Sequence, residues 1–461
     1  MTNVYGGDEV GAVVIDVGSY SCKVGYAGED SPRSEIPTVI GVQDKSKFAA
    51  ELDRYKSDTE TDRTKQLSSQ INYYINPTEM VVPKSGQEVK TFLRDGIIED
   101  FELFDKMISY IYDKHIRSKP DQHPLMFSEV CWNTNIARQK LAELMFEKYH
   151  VPAMYPAPNA MLVAFSTGRP TGLVFDSGAN QTSAIAVLEG HVLYRSLVKS
   201  VHGGESINRR CCLHLRDKQV EINPIYRVKS KKYVEAGQPA EWIARTLPDR
   251  ITDSYKKHML LDVLRDYKHS VVKVCPDGPY DPEEFSSSPD IEYHFPDGYN
   301  MMIKPDDQYQ LMEPYFDPDY NNPTSGNDSS VPMPQTPITP MSMGNRANPD
   351  IISKTYPQIA LESVAKCDAD IRASLLNSVI LTGGNTLIPG FTERMTNELY
   401  SIAPKNFRVK IAQNCSSVER KYAAWIGGSI LASLGTFQQL WVSKLEYDEK
   451  GNSCLNLESR F

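Results

Sequence analysis

Two stretches decide how this chain folds: Val13-Val14-Ile15-Asp16-Val17-Gly18-Ser19 and Leu173-Val174-Phe175-Asp176-Ser177-Gly178-Ala179. Each is an apolar run that ends in an aspartate and turns on a glycine. Each then resumes as a strand, Lys23 to Ala27 after the first and Thr182 to Leu188 after the second. A buried strand that carries a carboxylate to its tip, followed by a turn with outward-facing backbone N–H groups, suits a metal-bound polyphosphate. A single strand–Asp–x–Gly phrase also describes a hairpin with a turn-capping carboxylate. Two copies 160 residues apart predict a duplicated domain with a nucleotide held between its halves.

At 461 residues the chain has room for two to four cores. Its composition, 40% apolar and 24% charged, is that of a soluble globular protein. A formal charge of −9 argues against attraction to nucleic acid along the whole sequence, so any DNA association must come from a local patch or a partner. The eight cysteines include no C-x-x-C pair, and Cys211-Cys212 with His214 cannot close a tetrahedral zinc site. The pattern predicts reduced thiols in an intracellular protein. Met1 to Asp8 is polar and acidic, unlike a signal peptide, and no run of about 18 apolar residues predicts a membrane span.

From Gln43 to about Gln87 the chain is polar, with the run Ser57-Asp58-Thr59-Glu60-Thr61-Asp62-Arg63, and reads as an exposed, mobile insertion. Helical periodicity follows at Phe104 to His115 and at Ala137 to Tyr149, where Leu141, Leu144, Met145 and Tyr149 share a face. Glu205 to His269 reads as mostly helical, broken by Pro224, Pro239 and Pro248. Asp317 to Asp350, with seven prolines in 34 residues, reads as a disordered or surface-draped linker. Beyond it come a helix near Ile359 to Lys366, a strand Ser378 to Leu381, a helix from Thr392, and a small-residue helix Tyr422 to Leu434.

On these motifs the chain resembles actin and the actin-related proteins. Asp16-Val17-Gly18-Ser19 with Lys23 is similar to the family's first phosphate loop, and Asp176-Ser177-Gly178 to its second. Thr382-Gly383-Gly384-Asn385-Thr386 resembles the adenosine loop. Arg420-Lys421-Tyr422, the run Trp425 to Leu434 and Thr436-Phe437-Gln438-Gln439 resemble the family's C-terminal signature. Val4-Tyr5-Gly6-Gly7-Asp8-Glu9-Val10 and Gly383 to Ile388 point within the family to the nuclear branch that serves chromatin-remodelling and histone-acetyltransferase complexes. The resemblance implies an α/β fold, the ATPase clamp shared with hexokinase and the heat-shock chaperones. Two duplicated α/β domains would flank a nucleotide cleft, each with a mixed five-stranded sheet and a smaller subdomain. The expected halves are 1–160, with the polar insertion at about 43–90, and 161–445, with the linker at about 317–350. A tail, 446–461, would return to the first half.

The resemblance implies ATP and Mg²⁺ as ligands. Gly18, Ser19 and their turn N–H groups, with Gly178 opposite, would cradle the terminal phosphates, and Lys23 would bridge them as a point charge. Asp16 and Asp176 would hold Mg²⁺ through its water molecules, since that ion dehydrates reluctantly. Gly204 would approach the ribose. Arg265, Lys268 and Lys421 would border the adenine, with Gly383, Gly384 and Asn385 beneath it.

The departures from actin carry the functional expectation. Tyr20 stands where actin has a glycine after the loop serine, and Ala179-Asn180 replace Asp-Gly in the second loop. The positions that match actin's water-activating glutamine and histidine hold Asn159 and Ser183, and the ribose-binding glutamate is matched by His269. Hydrolysis needs a positioned nucleophile and a proton acceptor. The expectation is therefore a pseudo-ATPase that binds ATP with little or no hydrolysis and has no catalytic residues. The first insertion replaces the loop that grips a filament neighbour, and the second falls near another filament contact, so no homopolymer is expected. Phe165, Gly168, Ile430, Leu431 and Leu434 resemble the groove that receives an amphipathic helix, although the last three also suit core packing. Implied partners are actin and a helix of a remodeller ATPase or related scaffold subunit, with nucleosome or histones as a further partner, no membrane, and a nuclear location. The alternatives are a cytoskeletal actin-like ATPase that forms or regulates filaments, and a sugar kinase or chaperone of the same superfamily.

Overall fold

The computed structural model describes residues 11–45, 71–285, 288–317, 320, 352, 354–412 and 416–455. The duplication read from the two phrases is present in the sheets. Strand Val13–Val17 lies between its antiparallel hairpin partner Ser21–Tyr26 and the parallel strand Leu125–Glu129. Strand Gly172–Ser177 likewise lies between antiparallel Thr182–Leu188 and parallel Val379–Thr382. The first sheet has six strands rather than five, because Ala153–Pro158 and Val442–Ser443 extend one edge and Ser34–Pro37 the other. The second has five, completed by His191–Val192 and Val198–Ser200.

Both central strands are apolar without a break because both faces are covered. In the first, Val13 and Ile15 face one core with Phe104, Met107, Leu141 and Met145, from the helical segments that periodicity marked. Val14 faces the other way, against Met161, Leu162, Trp425 and Leu431. The second sheet repeats this alternation: Leu173 and Phe175 point to one core, and Val174 points to another that holds Ala160, Val163, Ala164 and Ala423. Helices Asn159–Ser166 and Ala423–Ser433 therefore lie between the two sheets and give each of them a face. Their crossing is close. A Cβ on Gly427 would overlap the Leu162 carbonyl, and one on Gly428 would sit 2.9 Å from Val14. The Trp425 indole N–H donates to the Val14 carbonyl at 3.1 Å. The return to the first sheet thus begins at Ala423, ahead of the tail expected at 446–461.

The lobes at the rim differ most from the sequence reading. Within the 43–90 insertion, Ile71–Tyr74 and Glu88–Thr91 flank Val39–Asp44 in a three-stranded sheet, with helix Pro77–Val81 alongside. That part is ordered structure, and its acidic run lies outside the described residues. Between helices Gly204–Asp217 and Asp253–Val271 stands a hairpin, Val228–Lys232 with Glu241–Ala244, where mostly helix was expected. Its alternating lysines gave no apolar period to read. Nearly all of the proline-rich linker is likewise outside the described residues.

Candidate functional site

The two turns close alike. The Gly18 N–H donates to the Ser21 carbonyl at 3.1 Å, and the Gly178 N–H to the Gln181 carbonyl at 2.9 Å. Each leaves a two-residue tip, Ser19-Tyr20 or Ala179-Asn180, and Thr38 Oγ1 fixes the first by donating to the Ser19 carbonyl at 2.9 Å. Their carboxylates are provided for differently. Asp16 faces Lys23 across the strand pair, with Nζ 3.6 Å from its Oδ2. Asp176 faces Ser183, which supplies no charge. Burial first, and the Asp16 charge second, push the Asp176 carboxyl up to about 6, and Lys23 offsets only part of this. Asn159 Nδ2 donates to Asp176 Oδ2 at a long 3.4 Å, and the Cys131 thiol, pushed up to about 12 by burial, donates to Asn159 Oδ1 at 3.2 Å.

The second turn is stitched to the neighbouring loops. Its Gly178 and Ala179 carbonyls accept from the N–H groups of Gly204 and Glu205, at 2.9 and 2.7 Å. Asn385 Nδ2 donates to the Gly178 carbonyl at 2.7 Å and to Ser177 Oγ at 3.1 Å. Gly383, at φ +87°, lies so close to the Ser177 carbonyl that any side chain would collide, so glycine is required twice over. A Cβ on Gly384 would meet nothing within 4 Å, so that side of the loop is open. A Cβ on Gly204 would sit 2.9 Å from both Lys268 Nζ and Asn385 Oδ1, which places the three together. Burial pushes the Lys268 ammonium down to about 8.

Two of the expected adenine-border cations are committed elsewhere. Arg265 pairs with Glu205 at 2.6 Å and Asp262 at 3.1 Å, and its guanidinium lies 4.9 Å from the Tyr20 ring centre. Lys421 pairs with Glu35 at 2.7 Å, and Ser21 and Tyr422 also donate to that carboxylate. Burial alone would raise Glu35, but the Lys421 and Ser21 hydrogen bonds hold it below the ordinary carboxylate range. Of the groove residues, Ile430 and Leu434 are exposed, Phe165 is half-buried, and a Cβ on Gly168 would meet nothing within 4 Å. Leu431 is core, 5% exposed, and drops out of the groove.

Sequence reasoning missed how the two halves are tied together. At the rim, the N-terminus of helix Asp253–Val271 grips the first half's outer lobe. The Thr252 hydroxyl donates to the Gln87 carbonyl, and the Val89 N–H donates to Ser254 Oγ at 3.1 Å. The Gly86 N–H donates to the Arg250 carbonyl at 2.8 Å. Tyr255 OH reaches the carbonyls of Met80 and Val81 at 2.9 and 3.0 Å, and Tyr226, Tyr255 and Met259 pack against Val89, Leu247 and Ile251. Thr252 caps the helix by accepting from the Tyr255 N–H, and its other partner lies 165 residues away in the sequence, beyond any local pattern. A second tie joins Asp95 to Lys199 at 2.7 Å, with Lys199 over the Trp132 ring, while Trp132 Nε1 and Gln181 Nε2 donate to the Asp95 carbonyl. Asp95-Gly96 is a tight-turn signal, and both residues have positive φ.

Among the described residues no group of three or more His, Cys, Asp or Glu gathers at a metal-binding distance. The carboxylates at the centre are the pair Asp16 and Asp176. Among the described residues no helix is long and apolar enough to cross a membrane. The sequence model of the family described as Actin matches residues 7–459. Three relatives, each named actin-related protein 4, are 36% identical to the chain. That from rice (Oryza sativa subsp. japonica) aligns over 466 residues, covering 98% of this chain and 99% of its own. Those from Arabidopsis thaliana and Schizosaccharomyces pombe align over 458 and 455 residues, with 98% of this chain and 99% and 98% of theirs covered. With two matched turns at its centre and that similarity along nearly its whole length, the chain belongs to the actin family.

Proposed function

We propose that this chain is a nuclear actin-related scaffold subunit of chromatin-remodelling and histone-acetyltransferase complexes, which holds ATP as a structural ligand and hydrolyses it little or not at all. One observation carries this reading: a centre suited to a metal polyphosphate, without a water-activating base, lies under a rim that is tied shut.

The residues fit ATP and Mg²⁺, which the actin family generally binds. Two carboxylates without further ligands suit an ion that keeps most of its water. The Gly18 and Gly178 N–H groups are spent on closing the turns, so the N–H groups of the turn tips and Lys23 are the ones that suit phosphate oxygens, and the open side of Gly384 leaves space for a flat ring. A buried ammonium at Lys268 gains most from a polar or anionic neighbour. When bound, the metal nucleotide would supply a bridge between the turns, stabilising the fold by about 2.7 kcal/mol at a hundredfold excess over Kd.

The protein's own groups argue against turnover. Ser183 is no base near neutral pH, and Asn159 is occupied by Asp176 and Cys131. The exposed face of Ile430 and Leu434 suits the apolar stripe of a partner helix, and actin and a remodeller ATPase helix are the partners we propose. The name shared by the relatives supports the actin-related branch. To test the reading, the purified protein is loaded with γ-labelled ATP and chased for hours with Mg²⁺ present. Label retained as ATP, with protein left in the supernatant on high-speed centrifugation, is the expected result. Rapid phosphate release or a filament pellet overturns it.

A further inference from the structure

Tyr20, at the tip of the first turn, reaches across to the second half. Its ring centre lies 4.9 Å from the guanidinium of Arg265, on helix Asp253–Val271. The electron-rich face of an aromatic ring attracts a cation, and a planar guanidinium can lie on it without giving up its hydrogen bonds. The glycine that actin carries at this position could make no such contact.

Both partners are anchored on their own side. Fully buried Thr38 holds the turn tip twice: its hydroxyl donates to the Ser19 carbonyl at 2.9 Å, and its N–H donates to the Tyr20 carbonyl at 3.1 Å. Arg265 is fixed by Glu205 at 2.6 Å and Asp262 at 3.1 Å, and its side chain is 17% exposed. The Glu205 N–H in turn donates to the Ala179 carbonyl, at the tip of the second turn, at 2.7 Å. A continuous path thus joins the two tips: Tyr20, Arg265, Glu205, Ala179. Its ring contact is the link that crosses between the halves. With Tyr20 47% exposed, that link is also weaker than the charge-assisted bond from Arg265 to Glu205. The same helix grips the first half's outer lobe through Thr252 and Tyr255, about three turns before Arg265.

We propose that Tyr20 is a latch: its ring, set on Arg265 of the other half, fastens the tips of the two turns together and sets how readily the halves part and a bound nucleotide leaves. A ligand that spans the turns is then backed by a protein path spanning the same two tips. When the halves part, the ring contact breaks together with the rim contacts of the same helix. The part of this that concerns nucleotide rests on ATP being the ligand, as proposed above; the fastening of the halves does not.

The test compares Tyr20→Leu, which keeps apolar bulk but removes the aromatic face, with Tyr20→Phe, which keeps the face. Both leave the backbone N–H groups of the turn in place, and thermal melting checks that both variants are folded. Opening is read in the nucleotide-free full chain by hydrogen exchange of the segment holding Gly86 and Val89, whose N–H groups donate across to Arg250 and Ser254 of the second half. A disturbance confined to the turn would not reach these amides. In Tyr20→Leu, exchange there should be about fivefold faster, and so should release of labelled ATP in a chase, as expected for loss of one partly exposed cation–π contact. Tyr20→Phe should match the unsubstituted protein in both. Unchanged exchange in Tyr20→Leu overturns the latch, as does Tyr20→Phe opening as fast as Tyr20→Leu. Faster release with unchanged exchange makes Tyr20 a contact of the nucleotide and overturns it too. If the unsubstituted protein retains no ATP, the proposed function fails, and the exchange measurement still decides the latch.

Discussion

The centre of the cleft and its rim were built in different ways. At the centre the two halves repeat one device, an aspartate at a strand tip and a glycine turn closed three residues later, and the repeat is visible in two seven-residue stretches of sequence. At the rim the contact is one-sided: the end of one helix, Thr252 to Tyr255, grips a three-stranded lobe, and among the described residues the other half holds no three-stranded sheet of that kind. The centre even carries a cost, since Lys268 is buried as a cation and Asp176 has no cation of its own across the strand pair. The rim supplies unopposed hydrogen bonds and apolar contact. If nucleotide binds as proposed, recognition falls to the centre and retention to the rim.

The largest effect expected is at the centre. Gly383→Val forces a branched side chain into a positive-φ site against the Ser177 carbonyl, and a loss of about 3–5 kcal/mol, read by thermal melting, should come with loss of nucleotide. Next is Lys268→Met. In the folded protein the lysine titrates near 8 rather than 10.5, so the folded state binds fewer protons than the unfolded chain between those values. Stability of the nucleotide-free protein should rise with pH across that window, and the full penalty applies below it. At about 1.4 kcal/mol per unit, removing the charge should add up to about 3 kcal/mol at pH 7 and flatten the slope, while weakening nucleotide binding. If Lys268→Met leaves the melt unchanged, the centre is not the costly region.

Tyr255→Phe tests the rim alone. It removes the hydroxyl shared by the Met80 and Val81 carbonyls, worth about 1–2 kcal/mol, and should speed nucleotide release about tenfold in a chase experiment, with little change in ATP association. Release unchanged in this variant would break the assignment of retention to the rim. The smallest effect is expected for Asp95→Asn, which weakens a partly exposed ion pair with Lys199 by less than about 1 kcal/mol.

The legibility of the chain follows the same division. Val13–Val17 and Gly172–Ser177 were readable because an unbroken apolar run with Asp-x-Gly is a local pattern. The small-residue run around Gly427-Gly428 was readable as a helix, but its reason, the close crossing over Leu162, needed coordinates. The lysine-rich hairpin at 228–244 was misread because neither face is apolar. The adenine-border cations Arg265 and Lys421 illustrate the limit for sites: a motif position shows where the backbone goes, and local carboxylates such as Glu205 and Glu35 decide where the charge is used. Contacts such as Thr252 to Gln87 join residues whose own neighbourhoods give no hint of each other.

The helix Ala423–Ser433 packs against both sheets and follows the central strands of both in the sequence. Neither half can therefore be completed while the other is still being synthesised. Until Trp425 and its neighbours leave the ribosome, Val14 and Val174 each line an unfilled face, and the nascent chain carries two open apolar surfaces at once. A chain cut short just before Ala423 would thus keep the residues of the core around Leu173 and Phe175 but leave the faces of Val14 and Val174 open, a natural client for chaperones and a poor dominant inhibitor.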